Sequence, residues 1–138
     1  MWFGDKNHFV DNGRKVFRLD LIKGFLNEKG IGFYDTATAV RRLADNASDK
    51  FLEVVEATDI RALIAPLIHL RAIAVTGEKA CNTICEYFGI AAAPAVGGYV
   101  AIENGLRLYR LPSSSRAYPL SLDKKAAAYG RMFHEIGI

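Results

Sequence analysis

Apolar residues recur at Val16, Leu19, Ile22, Phe25 and Leu26, the spacing of one helix face. They predict a helix over 16–27, with Gly30 as its stop signal. "IGFY" (31–34) then predicts a short buried strand, and "DTATAVRRLADNASDKF" (35–51) a polar connection at its carboxyl end. "ATDIRALIAPLI" predicts a helix capped by Thr58, with Ile60, Leu63 and Ile64 behind the cap and Pro66 disturbing or ending it. "RAIAVTG" is β-rich and bounded by Gly77, and "EKACNTICEYFG" predicts a helix closing on Gly89. In "GGYVAIENGLRLYRLP" the pair Asn104-Gly105 separates two alternating runs, a hairpin signal because both residues tolerate left-handed backbone. A last helix is predicted over about 121–136, its "SLDK" start suited to capping.

Strands alternating with helices, interrupted late by a hairpin, predict an α/β layered domain with a mainly parallel central sheet. Ligands of such sheets gather beyond the carboxyl ends of the strands. Three segments leave strand ends there: "GIGFYDTATA", "AVTGEKA" and "RLPSSSRAY".

Composition narrows the class. A chain of 138 residues fits one domain over its whole length, and half of its residues are apolar with no low-complexity run. No apolar run reaches the roughly 18 residues that cross a bilayer, and the amino terminus lacks a basic-then-apolar leader, so a cytoplasmic protein is expected. A net charge of +3 permits nucleic-acid binding without arguing for it. Cys81 and Cys85 lie four apart on a predicted helix, too few for a structural zinc site, and read as small core residues in a reducing compartment. His8, His69 and His134 are scattered, so no metal site is expected, and neither a Gly-rich phosphate fingerprint nor a nucleophile elbow is present.

The three strand exits, in that order, resemble the uracil-DNA glycosylase superfamily, nearest to its mismatch-specific uracil, thymine and hypoxanthine members. "GIGFYDTA" resembles the family's Gly-Ile-Gly-Phe strand, "IAVTGEKA" its strand ending in Asn-Gly-Lys, and "LYRLPSSSRAY" its Met-Pro-Ser-Ser-Ser segment, over roughly residues 24 to 136. The resemblance implies a three-layer α/β/α fold and a hydrolase of base-excision repair. Such an enzyme flips a damaged base out of double-stranded DNA and cleaves its N-glycosidic bond without metal or organic cofactor. It implies that Ser113, Ser114 and Ser115 pinch the DNA strand and that the loop through Arg116, Ala117 and Tyr118 fills the gap left by the base. Ala117 stands where relatives place an Arg or Leu plug, so Arg116 or Tyr118 would have to supply it. Against this stands the plain alternative of a polar turn after a strand.

Phe33, Tyr34 and Asp35 fall at the family's base pocket. A carboxylate accepts a hydrogen bond from a base N–H or exocyclic amine and repels a bare carbonyl edge, so Asp35 points to a base other than plain uracil, such as hypoxanthine. A lone Asp after a strand is more often a helix cap or turn residue. Gly77 opens a helix whose amides suit a phosphate. Relatives follow this glycine with Lys, whereas here Glu78 comes first and Lys79, the phosphate candidate, second. Arg41, Arg42 and Lys50 crowd the loop beyond the first exit as candidate backbone contacts or solvated charges.

Relatives carry an earlier strand that holds the catalytic water, and then a helix with a catalytic asparagine. "KNHFV" resembles that helix and makes Asn7 the catalytic candidate, unless the true helix precedes Met1. Loss of a central strand would leave sheet edges open, and a homodimer through the exposed sheet is expected. Two further functions stay open: a catalytically silent DNA-binding remnant of the fold, and an unrelated α/β binding domain.

Overall fold

In a computed structural model, the structure describes residues 4–42 and 52–138. They fall into two compact units, one up to Tyr34 and one over Asp35–Gly137.

The first unit pairs two short strands, β1 (Val10–Asp11) and β2 (Val16–Phe17), antiparallel. The Asp11 carboxylate accepts the amides of Gly13 (3.0 Å) and Arg14 (3.1 Å), which closes the turn between them. That pairing takes Val16 out of the helix expected from 16. Helix α1 (Leu19–Lys29) starts only after Arg18, whose amide goes to the Phe9 carbonyl, and it ends on left-handed Gly30 as its sequence predicts.

Residues 31–34 do not form the expected strand. Phe33 and Tyr34 are 80% and 65% exposed, and among the described residues no strand pairs with them. The next strand comes later, inside the stretch expected to be a polar connection. In the second unit β3 (Ala37–Arg42) pairs antiparallel with β4 (Leu52–Ala57) as a separate two-stranded sheet. Thr58 follows it, buried, and its hydroxyl donates to the Asp35 carbonyl at 2.7 Å. Asp59 rather than Thr58 caps α2 (Ile60–Ile64), accepting the Ala62 amide at 3.2 Å. The helix stops before Pro66, as expected.

The larger sheet has the order β5–β7–β6. Strand β5 (Ala72–Thr76) runs parallel to β7 (Arg107–Leu111), and β6 (Tyr99–Ala101) runs antiparallel to β7. The fold is therefore mixed α/β, and this sheet is mixed rather than mainly parallel. The turn between β6 and β7 contains the expected left-handed pair, Asn104 (φ 57°) and Gly105 (φ 74°). Alternation along β7 sends Leu108 into a core with Val75, Cys81, Ile84 and Cys85, where α3 (Glu78–Tyr87) packs. It sends Tyr109 and Leu111 into a second core with Met132 and Phe133 of α4 (Leu122–Ile136). Both cysteines are buried, their sulfurs 4.0 Å apart, and burial followed by the neighbouring Cys81 thiol pushes the Cys85 thiol above its ordinary pKa. Helix α4 starts on Ser121, whose hydroxyl accepts the Lys124 amide at 3.4 Å, and ends on left-handed Gly137. No helix of the described residues is long and apolar enough to cross a membrane.

Candidate nucleic-acid interface

Parallel pairing places the carboxyl ends of β5 and β7 side by side, with Thr76 opposite Leu111. The residues that follow, Gly77 and Pro112-Ser113, are therefore neighbours. A side chain at Gly77 would meet Ser113 Cβ at 3.7 Å, and Gly77 itself has φ 92°, a backbone region that favours glycine. Its amide donates to the Leu111 carbonyl at 3.1 Å, so Gly77 contributes space and backbone direction here rather than a free donor. Of the three strand exits expected at this end, those after β5 and β7 lie side by side, whereas residues 31–34 form no strand.

The serine loop is organised by its own hydroxyls. Ser113 Oγ accepts the Ser115 amide and Ser115 Oγ accepts the Ala117 amide, each at 3.2 Å. A hydroxyl whose oxygen already accepts keeps its proton to donate. Among the described residues no hydrogen bond takes up these protons, the Ser114 hydroxyl, or the amides of Ser114 and Arg116. Ser114, Ser115, Arg116 and Ala117 are exposed, whereas Tyr118 is half-buried. The loop is thus a surface rich in unspent donors, the chemistry that suits phosphate oxygens.

Two α4 side chains that the sequence reading missed hold this loop. Tyr129 Oη donates to the Pro112 carbonyl at 3.1 Å, and burial raises its phenol pKa, which keeps the donating proton in place. Lys125 Nζ donates to the Ser115 carbonyl at 2.6 Å and lies 5.5 Å from the centre of the Tyr118 ring. The signal for Lys125 was a charge on an otherwise apolar stripe, since Lys125, Ala128 and Met132 are the buried positions of α4.

Other expected site residues are not drawn to this loop by any described contact. Asp35 is exposed and anchored through its carbonyl to Thr58. Asn7, Phe33 and Tyr34 belong to the first unit and are exposed; the Asn7 amide donates to the Asp5 carboxylate at 2.8 Å. Lys79 is half-buried, and its carbonyl accepts the Thr83 hydroxyl at 2.9 Å. Arg41 pairs across the β3–β4 ladder with Glu53 at 3.7 Å, and Lys50 lies outside the described residues. No group of three metal-ligating side chains occurs among the described residues.

A cleft of about 740 Å³ lies at the opposite end of the same sheet, beside Arg71 before β5, Arg107 at the start of β7, and Ile136 ending α4. Its Arg61 and Glu103 form an ion pair. Arg61 Nε donates to both Glu103 carboxylate oxygens, at 2.9 and 3.1 Å, and its guanidinium stacks about 5 Å from the Tyr87 and Phe88 rings. The Arg61 hydrogen bonds hold Glu103 below its ordinary pKa, and Glu103 raises that of Arg61 in return. Tyr87 donates to Asp59 at 2.7 Å and depresses its carboxyl in the same way. Tyr109 donates to Glu135 at 2.8 Å, and Arg71 caps α4 through the Ile136 carbonyl at 2.8 Å. Glu103, held ionised beside a guanidinium, makes a poor proton shuttle at neutral pH, and these contacts serve to pin α2, the hairpin turn and α4 to the sheet. Compared with known protein families, curated proteins and solved structures, the chain finds no match.

Proposed function

We propose that this protein is a DNA glycosylase of the uracil-DNA glycosylase type, hydrolysing the N-glycosidic bond of a flipped uracil, hypoxanthine or mismatched thymine. The observation that carries this proposal is the donor-rich serine loop seated against Gly77 at the carboxyl ends of two parallel strands. Double-stranded DNA then lies across this end of the sheet, its backbone held by Ser113, Ser114 and Ser115. Arg116, exposed at the turn, takes the wedge role, because Tyr118 is engaged by Lys125. Lys79 adds positive charge at the start of α3, and Asp35 contacts the extruded base. The fold proposed is three-layered, α3 and α4 being its outer helices, and the setting is cytoplasmic base-excision repair. Water attacks the anomeric carbon as hydrogen bonds stabilise the departing base, a route that needs no metal or organic cofactor. Among the described residues β5 and β6 pair only with β7, which supports a homodimer formed at a sheet edge.

A second reading, a DNA-binding domain of this fold without hydrolysis, is favoured by the exposure of Phe33 and Tyr34, at 80% and 65%. Rings that stack on a flipped base belong in a walled pocket.

Single-turnover assays on duplexes carrying uracil, hypoxanthine or mismatched thymine separate these readings, combined with binding to an abasic-site duplex across salt concentrations. Cleavage supports the glycosylase, with Asn7 the first residue to mutate and Asp35→Asn the test of base preference. Salt-sensitive binding without cleavage supports the silent domain. Absence of both overturns the DNA assignment.

A further inference from the structure

Helix α4 grips the serine loop at two points one turn apart. Tyr129 holds the Pro112 carbonyl and Lys125 holds the Ser115 carbonyl, at 3.1 and 2.6 Å. Residues four apart share a helix face, so a single face of α4 fixes both ends of the segment that carries Ser113 and Ser114.

Lys125 is an expensive way to do this. It is only 8% exposed, and Thr58 is the other buried polar residue among those described. Taking an ammonium out of water is costly unless it is well paired. Here the compensation comes from one carbonyl and one aromatic face, both belonging to the loop. An apolar residue would continue the Ala128–Met132 stripe without that cost. What the lysine adds is control over one atom. The Ser115 carbonyl accepts from Lys125 and from the Tyr118 amide (3.2 Å), so it faces the helix side. A carbonyl oxygen directed outward would repel a phosphate. Turned inward, it leaves the outer face of the loop to the hydroxyl and amide donors.

We infer that Lys125 is a positioning residue, locking the loop in its anion-receptive shape before any nucleic acid arrives. Its effect on DNA affinity rests on the DNA-binding reading above; the locking of the loop does not.

The test uses the full chain and its Lys125→Met, Lys125→Arg and Tyr129→Phe variants. Two readouts are needed: amide exchange of the loop without DNA, and affinity for an abasic-site duplex at several salt concentrations. Lys125→Met should exchange faster at Ala117 and Tyr118 and bind the duplex about tenfold more weakly, the loss expected for one charge-assisted hydrogen bond. Its salt dependence should match that of the parent, because a buried ammonium displaces no counterion. Lys125→Arg, which keeps a charged donor, should recover most of both. Unchanged exchange in Lys125→Met overturns the inference. So does a salt slope shallower by about one unit, which would put Lys125 on a phosphate instead. Should the parent bind no duplex, the DNA reading fails while loop exchange still decides the lock. Should Lys125→Met not fold, Tyr129→Phe decides: faster loop exchange in the folded variant supports a loop held from α4, and unchanged exchange overturns it.

Discussion

Helices α1 and α4 look alike along the chain and differ in what they meet. Each is amphipathic, carries an acidic residue in its first turn, and ends on a left-handed glycine, Gly30 or Gly137. Yet α1 has no buried residue, whereas α4 buries Lys125, Ala128 and Met132. Within its own unit α1 has a two-stranded ribbon of two-residue strands and a Phe9–Phe25 ring contact at 5.5 Å. Helix α4 has the full length of β7, which presents Tyr109 and Leu111 to it. Local signals suffice to start and stop a helix. Burial requires a surface, and most helical stability in a folded protein comes from that surface.

The sharpest way to break this contrast is to cut into both sides of it. Leu111→Ala or Met132→Ala should lower unfolding free energy by about 3 kcal/mol in urea titrations, the cost of lost transfer energy and a residual cavity. Leu26→Ala in α1, only partly buried, should cost about 1 kcal/mol or less. Equal losses would mean that α1 is as well packed as α4. Native-state exchange should give the same order without mutation: amides of β7 and α4 exchange near the global unfolding limit, and those of α1 at least about tenfold faster. Comparable protection would merge the two regions into one cooperative unit.

Capping sharpens the comparison at a lower level. Ser121→Ala removes the α4 cap and should cost about 1 kcal/mol. Arg18 makes no side-chain cap on α1, so Arg18→Ala should lie within about 0.5 kcal/mol of the parent. A large Arg18 effect would reveal a role for that residue beyond the helix end. The smallest effect concerns pH. Glu103 has an ordinary pKa of 4.5, lowered in the folded protein by Arg61. A lowered folded pKa stabilises at higher pH, and that contribution is lost as pH falls from near 4.5 through the depressed value. Thermal melts of Glu103→Gln should therefore lose part of the acid-side fall in stability and run parallel to the parent above pH 6. A gap that keeps widening above pH 6 would assign the effect to another group.

Helix ends and tight turns were legible in sequence because they depend on a few adjacent residues. Gly30, Gly89, Ser121 and the Asn104-Gly105 pair each act within their own turn. The meeting of Gly77 with the serine loop was legible too, since two strands that run parallel must bring their exits together. The misplaced elements all depended on partners. "IGFY" has strand-forming residues but no neighbouring strand among the described residues, whereas the polar stretch after it found one in β4. The cap position went to Asp59, and the Thr58 hydroxyl instead holds the Asp35 carbonyl, 23 residues away in sequence. Lys125 belongs to the same class. Its sequence neighbours place it on a helix, but only the docking of α4 beneath the loop gives its charge a carbonyl to hold. By itself, then, the sequence determined where chain segments start, turn and stop, through forces that act within a few residues. The tertiary structure alone decided which faces are buried and which donors remain unspent, because burial and hydrogen-bond satisfaction are settled between segments far apart in the chain.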